Sequence, residues 1–262
     1  MAIKQLPKLY STDFRLPNKK PIGGVEIDWG NPLTKDLVVC VPLGFKVNVN
    51  LADGALCVVD NLAAQVYRGV EANNFTASSS DLKTDVKFKA NNDFTVFTTA
   101  AIDSTGVSVG ACSYNGGDNF WLGTASNKIR FSVNGENADS ASSLFSNGNW
   151  FNFAGVHQHG VGQTLYVDGV SSGASSYTGT INTTDVHKIG DFSTFGWPNG
   201  RVSFYCVWNR ALSSIEIQSL EKNLYQILKP KQAPRYFTAD SGGGTTSAIT
   251  IPKPAFSSTA QS

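Results

Sequence analysis

Residues 200–230 read GRVSFYCVWNRALSSIEIQSLEKNLYQILKP. The opening nine alternate with a strand's period of two, which places Val202, Phe204, Cys206 and Trp208 on one face. The period then changes. Ser213 followed by Glu216 has the capping-box spacing, in which each side chain satisfies an orphan amide at a helix start. Ile217, Leu220, Leu224 and Ile227 recur at helical spacing on one face, and Pro230 is expected to stop the helix. A strand handing over to one amphipathic helix is the unit from which the rest of the chain is read.

Upstream of it, short strand-like runs follow one another: DLVVCVPL, ALCVVDNL, AQVYRGV, DFTVFTTAAI, VSVGACSY, KIRFSVN, WFNFAGVHQ, QTLYVDG and HKIGD. Ile129, Phe131 and Val133 share one face, with Arg130, Ser132 and Asn134 on the other. Asn115-Gly116, Asn134-Gly135, Asn147-Gly148, Asp168-Gly169 and Asn199-Gly200 punctuate the runs. These dipeptides tolerate the positive φ of tight hairpins, so they are turns with a mechanism. Strands without intervening helices predict an all-β, antiparallel two-sheet sandwich.

The chain of 262 residues is long enough for one large β domain with extensions. Its charge is near balance, 21 basic against 20 acidic residues, which argues against a dedicated nucleic-acid binder. No run approaches the roughly 18 apolar residues of a membrane-spanning helix, and no apolar secretory core follows the N-terminus. Residues 1–34 hold Pro7, Pro17, Pro21 and Pro32 and read as an extended arm. Residues 35–237 read as the domain. The Gly-, Ser- and Thr-rich stretch 238–262 reads as a tail, flexible alone or ordered on a partner. Cys40, Cys57, Cys112 and Cys206 lie far apart in apolar runs, without CxxC spacing, and are expected as small buried thiols rather than zinc ligands.

QTLYVDGVSSG resembles the strand–turn pattern of laminin-G-like and concanavalin A-like lectin and glucanase domains, where a Tyr-Val-Asp/Asn-Gly hairpin recurs. The segment 200–230, with its NRALS, helix and YQI..P, is similar to the closing unit of such proteins from tailed bacteriophages and prophages. PLTKDLVVCVPL is similar to the opening strand. The resemblance spans about residues 33 to 237. It implies a jelly roll, and a non-enzymatic structural protein on a virion surface, as capsid decoration or tail-associated protein. Its implied partners are other virion proteins, further copies of itself in a trimer or ring, and host-surface glycans. Synthesis in the bacterial cytoplasm is implied too. The alternative is a carbohydrate-binding receptor-recognition or adhesin module, and a distant third is a glucan hydrolase.

Hydrolytic relatives carry Glu-x-Asp-x-Glu on one strand, supplying two carboxylates about 5 Å apart. Here the stretch is EIDWGN: Glu26 and Asp28 match, but Gly30 stands where the second catalytic Glu belongs. No catalytic residue is assigned. His157 and His159 lack a carboxylate or cysteine at ligand spacing and read as a solvent-facing strand end; His187 reads as surface. Sugar-binding residue types gather in two loops. SYNGGDNFWLG offers Tyr114, Asp118, Asn119 and Trp121, although Trp121 reads equally as part of the next strand; DFSTFGWPNG offers Phe195, Trp197 and Asn199. Calcium accompanies this superfamily, yet Asp103, Asp118, Asp139 and Asp168 are scattered, and Asp168 is accounted for by its turn with Gly169. No cofactor is expected.

Overall fold

The period-two runs pair as antiparallel strands in two facing sheets. The computed structural model describes residues 24–44, 48–60, 62–68, 70–75, 81–87, 93–103, 108–113, 120–141, 148–178, 186–189 and 200–231. All of them belong to one unit within residues 1–231. One sheet holds, in spatial order, β11 (Glu136–Asp139), β10 (Lys128–Val133), β9 (Phe120–Ala125), β8 (Ser108–Ser113), β15 (Val186–Ile189), β6 (Asp81–Lys87) and β3 (Val58–Asp60). The other holds β14 (Val170–Ser175), β13 (Gly162–Val167), β12 (Trp150–Gln158), β7 (Phe94–Ile102), β16 (Gly200–Trp208), β5 (Val70–Phe75) and β4 (Ala63–Tyr67). β2 (Leu37–Pro42) joins this second sheet beside β16. This is the expected all-β sandwich of jelly-roll type.

The main core lies between the sheets. Phe120, Leu122, Ile129, Phe131 and Val133 from one meet Phe94, Val96, Phe153, Leu165, Tyr205 and Val207 from the other, all essentially without exposure. Burying side chains of this size stabilises the fold by about 1.5–3 kcal/mol each. Gly155 makes the close approach possible: a Cβ there would lie 2.3 Å from the Phe131 ring. Two of the expected hairpin turns lie wholly within the described residues and close as anticipated, with φ of 49° and 84° at Asn134-Gly135 and of 47° and 75° at Asp168-Gly169; Asn115-Gly116, Asn147 and Asn199 lie outside the described residues. A further turn of the same kind uses Ser126-Asn127, at 51° and 61°, without glycine.

A second core covers the outer face of the β16 sheet. Phe97, Ala154, Phe204, Cys206 and Trp208 pack there against Ile217, Leu220, Leu224 and Ile227. The Trp208 indole N–H donates to the Leu33 carbonyl at 2.7 Å. The expectation that Val202 shares a face with Phe204, Cys206 and Trp208 fails. Val202 points into the inter-sheet core and the other three point outward, because the pairing of β16 with β7 slips one residue between Val202 and Phe204. The slip falls where β16 exchanges one neighbour for another: residues 200–202 pair with β5, and 204–208 with β2.

The helix is shorter than its apolar spacing suggests. The capping box forms as expected, but α1 covers only Ser214–Lys222. A 3₁₀ turn at Leu224–Ile227 and β17 (Leu228–Pro230) follow. The Asn223 N–H and the Gln226 Nε2 both donate to the Ser219 carbonyl, at 3.1 and 2.6 Å, which closes the helix end. Redirecting the chain lets β17 pair with β1 (Val25–Ile27), so the described part of residues 1–34 carries a strand and a 3₁₀ turn at Pro32–Thr34.

Two histidine readings are corrected. His157 is 1% exposed, with its ring 5.3 Å from that of Phe94; only His159, in the following turn, faces solvent. His187 has no exposure, and its Nδ1 lies 3.3 Å from the Tyr205 hydroxyl. Burial pushes its pKa down to about 3, so the ring is neutral. Cys40, Cys57 and Cys206 are buried free thiols, Cys40 and Cys206 directly opposite one another across β2 and β16.

Candidate functional site

On the outer face of the β16 sheet, beside the second core, the packing leaves a groove of about 380 Å³. The floor comes from neighbouring strands. Thr99 of β7 and Asn152 of β12 are register partners, and the Thr99 hydroxyl donates to the Asn152 Oδ1 at 2.5 Å. Ser203, turned outward at the slip in β16, lies alongside. Trp150, Leu224, Tyr225 and Val70 give the lining its apolar and aromatic surface, while Phe151 reaches it from a side chain packed toward the inter-sheet core. The lining also carries two carboxylates, Asp168 from the β13–β14 turn and Glu221 from the last turn of α1.

The turn and the helix are brought together by Gly169. Its φ of 75° suits glycine, and a Cβ at this position would meet the Glu221 Cβ at 3.2 Å. Asn152 then links both carboxylates: its backbone N–H donates to the Asp168 Oδ1 at 2.8 Å, and its Nδ2 to the Glu221 Oε2 at 2.6 Å. Partial burial raises the pKa of each acid, and for Glu221 the nearby charge of Asp168 adds to it. Glu221 also sits where the helix macrodipole disfavours an anion. A side chain kept against two electrostatic penalties, at the edge of a cavity, is a candidate for binding. Burial likewise raises the Tyr225 phenol, with Glu71 adding to the shift.

The lining combines hydrogen-bonding groups with aromatic surface. Such a surface suits a ligand with both hydroxyls and an apolar face. Its residues come from five strands and turns of the sheet and from α1 and the 3₁₀ turn after it, and the sequence reading found none of them as a site; Asp168 forms its expected turn and lines the groove as well. Glu221, acidic at a helix C-terminus, was the available signal.

Of the residues proposed from sequence, Tyr114, Asp118, Asn119, Phe195, Trp197 and Asn199 lie outside the described residues. Trp121 is described. It lies in β9 between Phe120 and Leu122, is 8% exposed, and has the Arg130 guanidinium 5.8 Å from its ring centre. Glu26 and Asp28, the remnant of the hydrolase pattern, flank Lys229 at 3.6 and 3.8 Å on the β1–β17 pair. Asp28 also accepts the Gly30 N–H. Among the described residues, no group of three or more His, Cys, Asp or Glu side chains is placed to hold a metal ion.

Comparison with solved structures returns the same sandwich. The receptor-binding domain of botulinum neurotoxin D matches with a TM-score of 0.56 at 11% identity, over 72% of this chain and 53% of that one. The binding domain of Paraclostridial Mosquitocidal Protein 1 matches with 0.56 at 14% identity, over 74% and 53%. The botulinum neurotoxin serotype D ligand-binding domain in complex with N-acetylneuraminic acid gives 0.57 at 11% identity, over 72% and 51%. This chain spans about half the length of those domains, and at such identities the likeness is one of fold alone. A search of the curated proteins returns no match. Among protein families, residues 74–218, more than half of the chain, match the laminin-G-type family of the concanavalin A-like lectin/glucanases superfamily. Sandwich, hairpins and family match converge: the chain belongs to the concanavalin A-like lectin/glucanases superfamily.

Proposed function

We propose that the chain is a non-enzymatic carbohydrate-binding module whose sugar site is the groove between β7, β12 and α1. The observation that carries this reading is the Thr99–Asn152–Glu221 hydrogen-bonded row, with Asp168 also bonded to Asn152, in one groove with Trp150 and Tyr225. Carboxylate and amide oxygens accept from vicinal hydroxyls, while a pyranose lays its C–H face on an aromatic ring. The volume falls within the usual range of small-ligand sites. Fold neighbours whose names describe binding domains support the same class, as does the complex of one of them with N-acetylneuraminic acid. The test is a glycan panel against wild type and Trp150→Ala. Saturable binding weakened by about tenfold or more in the variant is expected; a panel bound equally by both proteins excludes the groove.

The closing segment 200–230 supports a finer proposal about context. The module acts on the surface of a tailed-phage particle, as capsid decoration or tail-associated protein, made in the bacterial cytoplasm and assembled with other virion proteins. Particles should carry the chain, and deletion of residues 241–262 should reduce incorporation without unfolding the domain. Unchanged incorporation removes the tail from this role.

A further inference from the structure

The charge along the groove is negative. Among the described residues, its lining includes Asp168 and Glu221 and no lysine, arginine or histidine. Glu71 adds a third negative charge close enough to act on Tyr225. Two basic groups lie beside lining residues and both are engaged: the Arg68 Nη1 donates to the Asn149 Oδ1 at 2.6 Å, next to Trp150, and Arg201, register partner of Ala101 beside Trp150, pairs with Asp103. Each carboxylate spends one oxygen on Asn152, the Asp168 Oδ1 and the Glu221 Oε2, leaving the second oxygen of each for a ligand.

We propose that this groove selects saccharides bearing a free amine, of the glucosamine type, over their N-acetylated, neutral and carboxylate-bearing counterparts. The inference rests on the sugar-site reading and adds the charge class of the ligand. An ammonium group entering between Asp168 and Glu221 donates charge-assisted hydrogen bonds to both carboxylates. It also relieves the repulsion between them, which a neutral hydroxyl does only weakly. An N-acetyl group replaces the cation with a bulkier neutral amide. A carboxylate-bearing sugar brings a further negative charge to a site whose described lining holds no cation. The ligand held by one fold neighbour, N-acetylneuraminic acid, is therefore expected to be the poorest of the set here. The raised pKa values of both acids agree with a pocket that gains by admitting a cation.

The experiment is calorimetric titration of the full chain with glucosamine trisaccharide, N-acetylglucosamine trisaccharide, cellotriose and N-acetylneuraminic acid. It is run at about pH 6, where the sugar amine is protonated. The glucosamine trisaccharide should bind about tenfold tighter than cellotriose. Glu221→Gln and Asp168→Asn should each bring the two within about twofold, since both keep the acceptor for Asn152 while removing the charge. Glu26→Gln, at a half-exposed site on β1 that does not line the groove, should leave the ratio unchanged. Equal affinity of wild type for the amine-bearing and neutral trisaccharides, with both lost in Trp150→Ala, overturns the amine preference and leaves the sugar site standing. A preference that survives Glu221→Gln and Asp168→Asn overturns it too, as attraction of a polycation to the general surface. Failure of all four probes to bind overturns the amine preference; binding of other panel glycans through Trp150 then decides the sugar site separately.

Discussion

Asn152 holds Asp168 and Glu221 with two different groups, its backbone N–H and its side-chain amide, at 2.8 and 2.6 Å. One residue of a central strand thereby fixes acids from a hairpin turn and a helix end. The Thr99 hydroxyl orients the amide in turn. A groove organised this way is rigid before any ligand arrives, so binding there spends little on ordering side chains.

Glu221 should cost the fold stability at neutral pH. Its pKa is raised above the ordinary 4.5 by burial first and by the charge of Asp168. A carboxyl with a raised folded pKa binds its proton more tightly when folded. The penalty is therefore absent well below the unfolded value and sets in as pH rises through the folded one. Glu221→Gln is expected to raise Tm at pH 7, with the gain vanishing below about pH 4. Thermal melts across that range check it; a lower Tm at both ends would assign Glu221 a structural role.

His187 makes the opposite demand. Buried neutral, with its pKa down at about 3 against 6.5 when free, it is protonated in the unfolded chain first. Stability is complete above the unfolded value and declines as pH falls from 6.5 toward 3. Between about pH 6.5 and 5, above the ordinary carboxylate range, the fall belongs to histidine. In denaturant melts His187→Gln should flatten the slope in that window while lowering stability at pH 7. An unchanged slope would falsify the assignment.

The capping box offers a local measurement. Ser213 Oγ accepts the Glu216 N–H at 3.3 Å, and Glu216 Oε2 accepts the Ser213 N–H at 2.8 Å. Arg210 anchors the same carboxylate and, as the main cause, holds its pKa down at about 2. Ser213→Ala should cost about 1 kcal/mol by chemical denaturation. Because α1 carries a wall of the groove, ligand affinity should fall with it.

Gly169 is the position at which turn and helix meet. Gly169→Ala forces a Cβ into left-handed backbone and against Glu221 at 3.2 Å. Left-handed strain alone is about 1–2 kcal/mol, measurable as a shift in denaturation midpoint. Sugar binding should weaken more than in Gly135→Ala, whose Cβ at φ 84° meets nothing within 4 Å.

Local patterns carried most of the architecture. The alternation at Ile129, Phe131 and Val133, the Asn134-Gly135 and Asp168-Gly169 turns and the Ser213–Glu216 box each depend on residues a few places apart, and each formed. What escaped depends on distant partners. The slip at Ser203 arises because β16 serves β5 and β2 in succession. His187 is buried by Tyr205 and Phe120, which periodicity does not connect to it. The groove draws Thr99, Asn152, Asp168, Ser203 and Glu221 from five elements. Only the register between strands and the seating of α1 bring them together.

The pairing of β1 with β17 sets Gly24 beside Lys231, whose N–H donates to the Gly24 carbonyl at 2.9 Å. The chain therefore enters and leaves the sandwich at one corner. A force that separates residues 24 and 231 peels the Val25–Pro230, Glu26–Lys229 and Ile27–Leu228 pairs one after another, as a zipper opens. The inter-sheet core is not loaded until that clasp has parted, while Ile27 and Leu228 carry the load into the second core. Mechanically, the domain is a bead on a loop, able to be spliced into a longer polypeptide without either flank crossing it.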